Sequence, residues 1–154
     1  MINNDVLRSL RYTLNLSDPD FLALIHLKQP ELSLDELKSY LANEEQGSFK
    51  RCTDATLHNV LDSLIIEKRG PSPQSMAPAN LRLTNNQILK KLRIAFSLQE
   101  AEMLEILASV DFELSKHELS ALFRNPEHSN YRSCGDQLLR SFLIGLARRY
   151  RPAL

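Results

Sequence analysis

The 154-residue chain is 43% apolar and 25% charged, an ordinary globular composition that argues against wholesale disorder. Its 19 basic and 19 acidic residues cancel, so no net field draws the chain to nucleic acid or anionic lipid. Four glycines and no tryptophan leave few strand or turn signals, and an all-α fold is the expectation.

Four helices are predicted in the first 70 residues. The first covers about Asn4–Leu14, where Val6, Leu7, Leu10 and Leu14 share one face at helical spacing. Ser17 then caps a second helix with Pro19 and Asp20 in its first turn, its apolar set being Phe21, Leu22, Leu24 and Ile25. A third opens on the capping box Ser33-x-x-Glu36. After the polar stretch NEEQGSFKRC, Thr53 starts a fourth. Asp54 lies in its first turn, where the helix dipole favours a carboxylate, and Leu57, Val60, Leu61, Leu64 and Ile65 form its stripe.

The same order then recurs. Placing Asn4 on Asn86 aligns residues 3–69 with 85–151 without a gap, and about 20 of the 67 pairs are identical, the mark of an internal duplication. Ile88, Leu89, Leu92 and Phe96 repeat the first stripe, Ser115-x-x-Glu118 the capping box, and Leu139, Phe142, Leu143, Leu146 and Ala147 the last stripe. Pro71, Pro73 and Pro78 mark an extended linker, which gives repeat one at 1–70, a linker at 71–83 and repeat two at 84–154. A unit of about 70 residues buries a modest core, so the two are expected to share one helical bundle with pseudo-twofold symmetry. Their charges differ: residues 1–70 carry a net −3 and residues 82–154 a net +3.

The doubled NN…LR, ELS…EL and C-x-D…L…L elements, with the segments NNDVLRSLRYTLNLSD and LIIEKRGP, resemble the YehS-like bacterial family, a domain of unknown function that occurs as a tandem duplication. The likeness runs over nearly the full length. It implies a small cytoplasmic helical protein and brings no substrate, cofactor or catalytic residue with it.

Candidate residues follow from what the copies share. Asn3, Asn4, Asn85 and Asn86 stand where helices start and are expected to cap them. Arg11 and Arg93 lie at the edge of an apolar face and call for carboxylates, so structural pairs Arg11–Asp54 and Arg93–Asp136 are expected, with anion binding by the arginines as the other reading. Cys52 and Cys134 follow no metal-type spacing, and no histidine position is repeated. They read as reduced, packed thiols rather than nucleophiles or metal ligands. Phe49 and Tyr131, each followed by a basic residue, form either a partner surface or the cover of a loop corner.

The second and third helices of repeat two also fit a helix-turn-helix in length, with Lys116, His117, Ser120, Arg124 and Asn125 as nucleic-acid contacts. No nucleophile, base and acid assemble, and the N-terminus lacks a secretory pattern. The expectation is a cytoplasmic, non-enzymatic interaction or adaptor module with a protein partner, no cofactor and no membrane span. Nucleic-acid binding is the alternative. A deep polar pocket between the copies would favour chemistry, and a flat apolar patch a protein partner.

Overall fold

A computed structural model describes residues 1–71 and 80–151; most of the expected proline-rich linker, residues 72–79, lies outside them. Repeat one forms α1 (Asn3–Leu14), α2 (Asp18–Ile25), α3 (Leu34–Leu41) and α4 (Asp54–Arg69). Repeat two forms α5 (Asn85–Ala95), α6 (Glu100–Ala108), α7 (Lys116–Leu122) and α8 (Asp136–Tyr150). No strand occurs among the described residues.

Local chemistry sets most helix starts. The Ser17 hydroxyl accepts the Asp20 N–H at 3.2 Å and Thr53 that of Thr56 at 3.1 Å. Both capping boxes form: Ser33 accepts from the Glu36 N–H at 3.1 Å, Ser115 from that of Glu118 at 3.0 Å. Just past α1 and α5, Asn15 and Ser97 take the same left-handed φ of 52°, turning the chain at equivalent points.

The core joins the copies. The fourth helix of each repeat packs mainly on the first helix of the other, α4 on α5 and α8 on α1, while α2 and α6 cover α4 and α8 within their own repeats. Leu7 and Leu10, Leu61 and Leu64, Leu89 and Leu92, and Phe142 and Leu146 are at most 2% exposed. Burial of each such side chain contributes about 1.5–3 kcal/mol. The stripes read from the sequence as two sets are therefore halves of one core, and the all-α pseudo-twofold bundle is the observed fold.

One departure from symmetry is a close helix contact. A Cβ on Gly145 would sit 2.4 Å from the carbonyl oxygen of Ile106, so α6 lies tight against α8. Ser63 occupies the equivalent position of α4, and its hydroxyl donates to the Ile25 carbonyl at 3.2 Å.

Candidate functional site

The duplicated asparagines do not cap. Ile2 and Thr84 hold the cap positions, and the asparagines stand in the first turns of α1 and α5. From there they reach across the fold. Asn4 donates to the carbonyls of Tyr40 and Lys50 at 2.9 and 2.8 Å and accepts the Cys52 N–H at 3.0 Å. Asn86 makes the same three bonds with Leu122, Arg132 and Cys134, each at 2.9 Å. Each amide thus fixes the polar corner between the third and fourth helices, because a loop with few partners of its own needs its main-chain groups satisfied.

The expected arginine pairs are not formed. Asp54 accepts from the Asn3 side chain at 2.7 Å and the Leu83 N–H at 2.9 Å. Asp136 accepts from Asn85 at 2.8 Å and the N-terminal ammonium of Met1 at 3.1 Å. Both carboxylates are occupied by the chain that leads into a first helix, so each ties its own repeat to the start of the other. Arg11 instead lies 3.9 Å from Asp18, and Arg93 donates to the Leu98 carbonyl at 3.1 Å with its guanidinium 4.7 Å over the Phe123 ring.

Cys52 and Cys134 are buried free thiols. Burial, reinforced by Asp54 and Asp136, pushes them up to about 12 and about 11. Phe49 and Tyr131 are half-buried at the loop corners. Tyr131 lines a groove of about 540 Å³ with Arg124, Asn125 and Lys90. Lys116 and His117 stand exposed on α7, beside the ion pair of Glu118 with Arg132 at 3.0 Å. Seven residues separate α6 from α7, against the three or four of a helix-turn-helix.

A polar cluster found on only one of the two seams lies between α4 and α5. Asp62 of α4, with its side chain 4% exposed, is held between His58 Nε2 at 2.9 Å and Lys91 Nζ of α5 at 2.6 Å. These three form the floor of a cleft of about 670 Å³, with Arg69, Lys90 and Gln87 at its polar side and Ile65, Leu83 and Ile94 among its walls. Burial and then the Lys91 charge lower the His58 pKa against the pull of Asp62, so the ring is favoured neutral, and its buried Nδ1 has no hydrogen-bond partner. No group of three or more His, Cys, Asp or Glu side chains able to hold a metal occurs among the described residues.

The repeat supplies its own control. On the opposite seam, between α8 and α1, the positions of His58, Asp62 and Lys91 are filled by Arg140, Ile144 and Ser9. The groove there, about 430 Å³, carries Ser9, Tyr12, Ile144 and Arg151, with Arg151 over the Tyr12 ring at 3.8 Å. Two seams of one fold therefore close with different chemistry. A buried ion pair such as Asp62–Lys91 is costly to desolvate and can often be replaced by packed apolar residues without loss of stability, whereas Ile144, at the equivalent position of the other seam, is 48% exposed. The second seam closes without a counterpart of the His58–Asp62–Lys91 cluster.

Two tandem four-helix repeats around one shared core define the class of the protein. Residues 3–70 and 85–151 each match the family described as protein of unknown function (DUF1456), and the chain belongs to that family. It is 43% identical, over 150 residues that cover 97% of this chain and 96% of the relative, to the uncharacterized protein YehS of Escherichia coli (strain K12). No solved structure matches the chain. No helix among the described residues is long and apolar enough to cross a membrane.

Proposed function

We propose that the protein is a non-enzymatic interaction module of the adaptor kind, and that its α4–α5 cleft takes an acidic segment of a protein partner. The observation that carries this reading is the one-sided charge of the cleft. Arg69, Lys90 and Lys91 line it against the single carboxylate of Asp62, and Ile65, Leu83 and Ile94 offer the apolar contact that a peptide side chain needs. Asp62 is hydrogen-bonded to Lys91, with His58 Nε2 2.9 Å away, so its carboxylate fixes the floor rather than presenting a free acid.

Affinity capture from nuclease-treated lysate tests it, comparing the wild-type chain with Lys90→Glu and Arg69→Glu. Loss of a bound protein in both variants, with retention in Lys116→Glu, is the expected result. The exposure of Lys116 and His117 on α7 supports a second reading, nucleic-acid binding by repeat two. Material that disappears with nuclease and with Lys116→Glu, but survives Lys90→Glu, replaces the first reading by the second.

A further inference from the structure

The repeats differ a second time, in the groove between their second and fourth helices. In repeat two this groove is filled from within. Phe96 and Tyr150 pack ring on ring, 4.7 Å between centroids at 40°, and Arg149 crosses from α8 to Glu102 and Glu105 of α6 at 3.1 and 3.3 Å. Gly145 lets the two helices approach closely beneath.

Repeat one keeps an acid, Asp20, at the position of Glu102 but lacks the rest of that filling. Leu14 replaces Phe96, Lys68 replaces Tyr150 and Glu67 replaces Arg149. The Lys68 ammonium lies over the Phe96 ring at 4.5 Å. Asp20, Glu67 and Lys68, all exposed, line the groove, two acids against one cation, with Glu67 standing where repeat two has Arg149. What remains is a groove of about 380 Å³ with an apolar base that includes Leu24 and Leu27, the latter 48% exposed.

We propose that this α2–α4 groove is a second binding site, and that its occupant is an aromatic side chain next to an arginine or lysine on a helical segment of a protein partner. The filled twin supplies the template: an aromatic ring occupies the hydrophobic base while a neighbouring guanidinium pairs with acids on the rim. Asp20 and Glu67 provide that acidic rim in repeat one, and the open base provides room for the ring. The site is independent of the α4–α5 cleft and opposite to it in charge, so the two together would join partners of unlike charge.

The test uses the full chain and a short helical peptide ending Ala-Arg-Arg-Tyr-Arg, followed by backbone amide shifts in NMR titration. Saturable shifts confined to α2 and the C-terminal half of α4 are expected. Changing the peptide tyrosine to alanine weakens binding roughly tenfold or more, the loss of an aromatic anchor. In the protein, Ala23→Glu with Glu67→Arg rebuilds the clamp of repeat two and removes binding by occupying the acidic rim, while circular dichroism verifies the fold. Lys90→Glu leaves binding unchanged, which separates this site from the cleft. No saturation at millimolar peptide, shifts centred on α4–α5, or binding that survives the rebuilt clamp overturns the proposal.

Discussion

The Asn4 side chain and the Cys52 backbone are joined at 3.0 Å across 48 residues, and Asn86 and Cys134 repeat the bond at 2.9 Å across the same separation. Each bond is one of three by which a single amide holds a loop corner. Replacing Asn4 by Leu removes all three in a site with 0% exposure, leaving main-chain groups unsatisfied. A loss of about 3 kcal/mol is expected from the cost of such groups. Asn86 is partly exposed, so water compensates and Asn86→Leu costs less. Urea unfolding of both variants measures the order; an equal or reversed cost contradicts it.

The Asp62 cluster yields a test of whether it serves the fold. Asp62→Leu alone strands Lys91 and is expected to cost about 3–5 kcal/mol. The triple variant His58→Arg, Asp62→Ile, Lys91→Ser copies the opposite seam and removes the stranded charge. Its stability is expected to equal or exceed that of the parent, while partner capture through the cleft is lost. A triple variant as unstable as Asp62→Leu makes the cluster a structural requirement.

His58 also gives a pH dependence whose sign is set. Burial and Lys91 favour the neutral ring in the fold, with Asp62 opposing and Lys28 adding a further lowering push, so the folded pKa lies below the ordinary 6.5. The unfolded chain takes up the proton first. The contribution is full above the unfolded pKa and is lost as pH falls through 6.5 towards the folded value. The stability lost between about pH 7.5 and about pH 5.5 is smaller in His58→Gln than in the parent. An identical loss in both shows that the ring stays equally protonatable in the fold.

The thiols are predicted to be sluggish. With Cys52 raised to about 12 and Cys134 to about 11 by burial and a neighbouring carboxylate, little thiolate exists at neutral pH. Alkylation of the native chain, followed by peptide mass spectrometry, should label both more slowly than the urea-unfolded chain. Faster labelling of either native thiol than of the unfolded one points to an activated cysteine.

The local grammar of this fold is legible in the sequence. Ser17, Ser33, Thr53 and Ser115 announce their helices, and the stripes name core residues such as Leu61 and Phe142, because capping and helical period act within a turn or two. The asparagines are misread for the same reason: a residue at a helix start resembles a cap, and its bonds to carbonyls 36 and 46 residues away depend on tertiary placement. Asn3 and Asn85 likewise make matching long-range bonds, to the Cys52 and Cys134 carbonyls 49 residues on. Asp54 drew the wrong partner because charge type alone does not reveal that Asn3 and Leu83 are nearer. His58, Asp62 and Lys91 have no counterparts in the other copy, and the contact of Lys91 with Asp62 joins positions 29 residues apart, so neither the repeat nor local spacing reveals them.

The exchange of helices between the halves bears on synthesis. α1 is made well before α8, its main partner, whereas α5 is complete 26 residues after α4. At about 5–20 residues per second, translating from Arg69 to Tyr150 takes on the order of 4–16 s. Throughout that interval the apolar face of Leu7 and Leu10 lacks the cover that α8 brings. On a polysome, neighbouring nascent chains carry the same uncovered faces. Pairing of α1 with the α8 of its own chain therefore competes with pairing with that of a neighbour.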